Sequence, residues 1–119
     1  MSEMKEYVLV VHSNPAPGRE AEYNDWYNNQ HLKDVLAQPG YTAARRFKLT
    51  GFKLDDAMPD PSHQYVAFYY MKTDDPEREL NAMKERVEAG IIGLTEAMAP
   101  DFLAYCYEAA SPLVEAGEM

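Results

Sequence analysis

Four segments of the chain have the apolar and β-branched composition of strands. They cover residues 7–12, 41 to about 53, 64–71 and 102–107. Clusters of turn-forming residues, such as residues 14–18, separate the strands from the segments that follow them. The pattern predicts a sheet of four strands.

Helical periodicity predicts two helices between these strands. The first begins near residue 19 and runs to about residue 31, or one turn further, before the Pro-Gly pair at 39–40 stops it. The second begins with Pro76 in its first turn. The apolar residues in the segment 91–98 follow neither a helical nor a strand periodicity, so no element is predicted there. The second helix is predicted to turn three apolar side chains inward: Leu80, Met83 and Val87.

The order strand, helix, strand, strand, helix, strand predicts a ferredoxin-like βαββαβ domain of the α+β class, with both helices on one face of an antiparallel sheet. The strands are apolar on both faces, since Val8 and Val10 alternate with Leu9 and Val11. Helices cover one face only, so the other face needs a second sheet. We therefore predict a homodimer that joins through its sheets. The alternative is a monomer whose tyrosines tolerate partial exposure.

Length and charge restrict the function. The 119 residues predict one domain, with a core at about 6–108 and an acidic tail at 109–119. A net charge of -9 makes binding to nucleic acid or to acidic membranes unfavourable. The sequence has neither a secretory signal pattern nor an apolar run long enough to span a bilayer, which predicts a cytoplasmic protein. Its single cysteine, Cys106, is interpreted as a buried core residue.

The first predicted helix has an aromatic stripe that ends in an imidazole. Residues three and four apart share a helix face, which brings together Tyr23, Trp26, Tyr27, Gln30 and His31. The stripe either lines a binding cavity or packs entirely in the core.

Two histidines are candidates for proton transfer. His31 is the first choice for a general acid or base, because imidazole titrates near neutrality. Asp34, three residues further on, could orient it or could be a solvated charge. His12 ends the first strand on the face of Val8 and Val10, where it is either a second proton carrier or a hydrogen-bonded end residue.

Further side chains are candidates for substrate binding. Alternation groups Arg45 with Tyr41 and Phe47, so its guanidinium could hold an anionic group or pair with an internal acid. Tyr65, Tyr69 and Tyr105 could line an aromatic cavity. The histidines fall on different elements and no cysteine cluster is present, so we expect neither a metal site nor a cofactor.

Three stretches resemble the EthD-like branch of the dimeric α+β barrel superfamily: residues 14–19, 26–32 and 39–47. The resemblance extends over most of residues 6–108. It implies two ferredoxin-like protomers paired into a barrel, with a ligand pocket between the sheet and the helices of each protomer. It also implies His31 as the position most often suspected of chemistry.

These observations lead to one leading hypothesis and two alternatives. The leading hypothesis is a protein that binds a small apolar or aromatic compound and catalyses cofactor-free proton transfer, such as an isomerisation, cyclisation or lyase reaction in aromatic or polyketide-type metabolism. The first alternative is a non-catalytic ligand-binding or accessory protein of a degradation pathway. The second is a haem-handling monooxygenase, which the superfamily resemblance allows.

Overall fold

The computed structural model describes residues 3–117 and has the predicted order of elements. The second strand is shorter than predicted, since it ends at Lys48 and an exposed loop occupies residues 49–64. The elements are β1 (Lys5–Ser13), α1 (Glu20–Trp26), a π-helical turn (Tyr27–His31), α2 (Leu32–Leu36), β2 (Tyr41–Lys48), β3 (Tyr65–Thr73), α3 (Pro76–Glu88) and β4 (Leu103–Glu108).

The four strands form one antiparallel sheet in the order β2-β3-β1-β4. The helices lie on one side of it. This arrangement confirms the predicted ferredoxin-like α+β fold. Within residues 3–117, no helix is both long and apolar enough to cross a membrane.

The two faces of the sheet differ in burial. The face toward the helices carries the core, in which Tyr69 and Met71 are almost completely buried. The opposite face, called the outer face below, is apolar and open, with exposed fractions between 41% and 52% for five of its larger side chains. These side chains are Phe47, Tyr70, Leu103, Tyr105 and Tyr107. Both faces of the sheet carry apolar side chains, as predicted. The homodimer that would cover the outer face stays a prediction.

A β-bulge corrects one assignment made from alternation. The register of β2 against β3 shifts between Tyr41 and Ala43, so one residue is inserted into the pleat. Tyr41 and Arg46 therefore both lie on the helix side, while Arg45 pairs with Phe68 on the outer face. The predicted grouping of Arg45 with Tyr41 is wrong for this reason.

The first helix is widened in its middle. The backbone N–H of Leu32 donates to the carbonyl of Tyr27, five residues back, and closes a π-helical turn. Turns of this type insert an extra residue into an α-helix and occur frequently at functional sites. This one ends on His31.

The segment between α3 and β4 lies over the helix side of the sheet. Its C-terminal end is held by the loop that follows β1, because Ala16 donates to the carbonyl of Ala97 at 2.6 Å and Ala99 donates to that of Asn14 at 2.9 Å. Its N-terminal end is bonded to α3, where Ile91 donates to the carbonyl of Arg86 at 2.9 Å. Ile92 in the same segment is buried. These bonds fix residues 91–99 beside α3.

Candidate functional site

A cavity of about 400 Å³ lies between the sheet and the helices. Its floor is formed by the helix-facing residues of three strands, its wall by the first helix, and its roof by α3 and residues 91–99. Such a volume is within the usual range for small-molecule sites. The lining comprises Leu9, Val11, Trp26, Tyr27, His31, Val35, Tyr69, Leu80, Met83, Lys84, Val87, Glu88, Leu94, Met98, Phe102, Ala104 and Cys106.

Aromatic rings enclose the imidazole of His31 in the cavity wall. The ring stacks on the indole of Trp26 with centroids 4.4 Å apart and planes inclined by 19°. Tyr27 and Tyr69 present their rings at nearly right angles to it, at centroid distances of 5.3 and 6.3 Å. The indole N–H of Trp26 donates to the carbonyl of Gly93 at 3.3 Å, which joins this cluster to the roof.

Burial keeps His31 uncharged at neutral pH. Desolvation is the largest influence on its pKa and lowers it to about 4, while the carboxylate of Asp34 raises it and the guanidinium of Arg46 lowers it further. Its Nδ1 atom is inaccessible to solvent and has no hydrogen-bond partner among residues 3–117. Asp34 therefore acts on the imidazole through its charge and does not orient it through a hydrogen bond at Nδ1.

His12 does not join His31 in the cavity. It lies on the outer face, paired with Val66 and Leu103, so the sheet separates the two imidazoles. Its ring instead approaches that of His63, with centroids 6.3 Å apart. Its predicted face is confirmed, but that face is opposite the cavity, so His12 cannot be a second proton carrier there.

A second aromatic cluster adjoins the cavity without lining it. Tyr23 and Tyr65 are buried, and their hydroxyls have partners within the protein. The hydroxyl of Tyr23 bonds to that of Ser13 at 2.5 Å, and the hydroxyl of Tyr65 donates to the carboxylate of Glu20 at 2.5 Å. Both tyrosines therefore support the site from outside the cavity.

Arg46 is a residue that the sequence did not single out. Its guanidinium lies 4.2 Å from the ring centroid of Tyr27 and 5.1 Å from those of Tyr23 and Tyr65. It donates one hydrogen bond, from Nη1 to the side-chain oxygen of Asn28 at 2.8 Å. Its Nε and Nη2 atoms are buried without a hydrogen-bond partner in the described part of the chain. The three rings hold this cation by cation–π attraction.

The remaining predicted tyrosines differ in position. Tyr69 lines the cavity, and burial, followed by the neighbouring hydroxyl of Tyr27, raises its pKa. Tyr41 is buried in the core without lining the cavity, and burial raises its pKa above the usual range. Both hydroxyls lack a hydrogen-bond partner within the residues that the structure describes. Tyr105 lies on the outer face, because it pairs with the outward-facing Val10, so its predicted place in the cavity lining is wrong.

Cys106 lines the floor of the cavity and is only partly buried. Burial raises the pKa of its thiol, which is therefore protonated and a poor nucleophile at neutral pH. Cys106 was interpreted as a buried core residue. It lies on the core side of the sheet, where it also lines the cavity.

The size of the cavity is a test of haem binding. A water molecule occupies about 30 Å³ in the liquid, so about 400 Å³ has room for about 13 waters, or for roughly 20 non-hydrogen atoms that are joined by covalent bonds and pack more closely. Haem with its ring substituents has far more non-hydrogen atoms, so the lining residues as arranged do not fit it. Within residues 3–117, no three His, Cys, Asp or Glu side chains lie close enough to hold a metal ion.

Comparisons with known proteins identify the class of fold. The sequence matches no protein-family model, and no curated protein matches it. A solved structure from Shewanella loihica PV-4, assigned provisionally as a monooxygenase, is 15% identical with a TM-score of 0.56, and the match covers 92% of this chain and 99% of that one. An ethyl tert-butyl ether degrading (EthD) family protein from Bacillus halodurans C-125 is 15% identical with a TM-score of 0.52, covering 87% and 98%. The resemblance to EthD-like proteins is therefore supported at the level of the fold.

Proposed function

We propose that this protein binds a small apolar or aromatic compound in the cavity and catalyses a proton transfer on it without a cofactor. The observation that carries the proposal is the position of His31, whose imidazole lies in the wall of an apolar cavity and touches three aromatic rings. Sites of this composition bury most of a ligand's surface and orient it through a few polar groups.

The neutral imidazole supplies the chemistry. In this form one ring nitrogen is a hydrogen-bond donor and the other an acceptor. Because burial lowers the pKa of His31 to about 4, this neutral form predominates at physiological pH. Isomerisation, cyclisation and lyase reactions each need a proton to move at such a position.

A deuterium-exchange experiment tests the proposal. Native mass spectrometry of the gently purified protein, followed by denaturing extraction, would identify any compound carried from the cell. That compound would then be incubated with the protein in deuterium oxide. We expect the wild type and the His12→Phe control to introduce deuterium into it, and His31→Phe to introduce none.

Non-catalytic binding is the second candidate, and a specific observation favours it. The Nδ1 atom of His31 has no orienting partner among the described residues, and a pKa of about 4 makes the imidazole a weak base. A wild-type protein that binds the extracted compound but returns it without deuterium would support this accessory role and contradict catalysis.

A homodimer is part of the proposal. The outer face exposes several large apolar side chains on adjacent strands, which is unusual for an isolated protein. Size-exclusion chromatography with light scattering should give twice the 13.5 kDa chain mass for the wild type. Tyr105→Glu on the outer face should give a monomer, whereas Ile91→Glu, at an exposed position beyond α3, should stay a dimer. A monomeric wild type would contradict the dimer.

A further inference from the structure

We infer that the cavity takes a neutral compound with an apolar body and one acceptor oxygen, and that His31 holds this oxygen as a hydrogen-bond donor through Nε2. The inference rests on the proposed function, because it specifies the ligand of the same cavity. It follows from the protonation of the imidazole, the placement of charge around the cavity, and the cavity volume.

The position of the proton on His31 follows from the burial of one nitrogen. Nδ1 is inaccessible to solvent and has no partner among residues 3–117. A buried N–H without an acceptor is rarer in proteins than an acceptor that lacks a donor. The proton of the neutral ring is therefore assigned to Nε2, and the unpaired Nδ1 is the unprotonated nitrogen. The imidazole can then donate through Nε2 to the bound oxygen, so its part in the proposed proton transfer is to polarise that oxygen, since the basic Nδ1 is buried and cannot take a proton from the ligand.

The placement of charge selects against an anionic ligand. Among the described residues that line the cavity, formal charge is confined to Lys84 and Glu88, which are exposed on α3 and opposite in sign. Arg46 lies over the ring of Tyr27 and does not line the cavity, and Arg45 is on the outer face. A carboxylate placed against Trp26 and His31 would lose its hydration without gaining a cation.

The volume suits a ligand of roughly 20 non-hydrogen atoms or fewer, estimated from the volume of a water molecule and the closer packing of bonded atoms. One or two fused rings with a carbonyl group have this size. The aromatic wall of Trp26, Tyr27 and Tyr69 suits a flat ring system.

Three bicyclic probes of similar size test the inference by isothermal titration calorimetry. They are 1-tetralone, which has one carbonyl oxygen, tetralin, which has none, and 1-naphthoate, which is anionic at pH 7. We expect tetralone to bind about tenfold more tightly than tetralin, as expected for one net hydrogen bond. Naphthoate should not saturate the protein at concentrations at which tetralone does.

A variant tests whether the tighter binding of tetralone depends on His31. His31→Phe keeps a flat ring against Trp26 but lacks the donor, so it should bind tetralone and tetralin equally. Lys33→Ala, at an exposed position on α2 outside the cavity lining, leaves the imidazole in place and should keep the tenfold preference. A tetralone preference that survives in His31→Phe would overturn the inference.

The other outcomes separate this inference from the proposed function. Equal binding of tetralone and tetralin by the wild type, or tightest binding of naphthoate, would overturn the inference and leave a small-molecule site in place. Failure of all three probes to bind the folded protein would count against both.

Nitrogen-15 NMR of the wild type provides a measurement that does not depend on the folding of a variant. Long-range couplings between ring protons and nitrogens distinguish the two neutral tautomers, and the His12→Gln and His63→Gln variants assign the signals. We expect the proton of His31 on Nε2. A proton on Nδ1 would overturn the inference.

Discussion

The imidazole of His31 lies almost parallel to the indole of Trp26, with ring centroids 4.4 Å apart. Trp26 is the single tryptophan of the chain. The tryptophan emission of the protein therefore originates beside the candidate functional group, so the ionisation of His31 can be followed through it.

A fluorescence titration should detect this ionisation. A positive charge on the face of the indole alters its emission, so the intensity should change as His31 gains a proton. Because burial lowers the pKa of His31, the midpoint is expected near pH 4 rather than at the usual 6.5. His12→Phe should retain the transition and His31→Phe should lose it. A midpoint at 6.5 would show that the imidazole is solvated.

Stability should decrease as the pH falls below neutrality because of the same group. Between the unfolded pKa of 6.5 and the folded pKa of about 4, the unfolded chain binds a proton at His31 that the folded chain does not. The free energy of unfolding should therefore fall as the pH is lowered through this window, by at most about 3 kcal/mol from this group. Urea unfolding at pH 7.5 and pH 4.5 measures the fall.

The matched variant for this measurement is His31→Phe. It keeps every carboxylate, so its loss of stability between the two pH values reports all other groups. The wild type should lose more than the variant does. Equal losses would contradict a buried, neutral His31.

Arg46 should contribute to stability whereas its neighbour Arg45 should not. Arg46→Met removes a cation that lies over three tyrosine rings, which should cost about 1–2 kcal/mol of unfolding free energy. Arg45→Met changes an exposed position on the outer face and should alter it by less than about 0.5 kcal/mol. Chemical denaturation of both variants at one protein concentration measures the difference. A reversed order would contradict the position assigned to the bulge in β2.

Deletion of Asn29 should remove the π-helical turn. The turn holds one residue more than an α-helix would, and Asn29 is exposed within it. The shortened helix should keep its flanking turns and keep His31 beside Trp26, because the two residues would then be four apart and share one face of an α-helix. The acid transition in fluorescence should stay near pH 4 while circular dichroism reports an intact helix, and a midpoint near the usual 6.5 would show that the π-helical turn itself is needed to bury His31. Asn29→Ala keeps the chain length and should leave the transition near pH 4.

Much of the fold was predictable because local signals agree with each other. Alternating apolar residues mark all four strands, and Pro39, Gly40 and Pro76 mark helix boundaries. The end of β2 was predicted too late because residues 49–53 continue its composition, whereas the hydrogen bonds to β3 and its flank end with that from Leu49 to the carbonyl of Gln64. Hydrogen bonding to β3, which composition does not report, decides that boundary.

The candidate site was predictable only in part. Trp26, Tyr27, His31 and Tyr69 line the cavity as expected, because helix and strand periodicity define their faces. Arg46 was missed since no sequence signal located the bulge in β2.

The remaining differences between the predicted and the observed site have separate causes. His12 was placed on its correct face, and its separation from the cavity follows from the alternation that turns Leu9 and Val11 toward the helices. Leu94 and Met98 belong to a segment without regular periodicity, so their place in the roof depends on tertiary contacts.

The side chains of β1 alternate between the two faces of the sheet, and this restricts how the sequence can change during evolution. Leu9 and Val11 line the cavity, while Val8 and Val10 face outward. An insertion or deletion of one residue within β1 would exchange these two sets of side chains, whereas a substitution alters one set alone. Homologous chains should therefore differ in β1 by substitution at constant length. Changes of length should accumulate within the exposed residues 50–61 of the loop after β2, which lie outside the sheet and before the contact of His63 with His12.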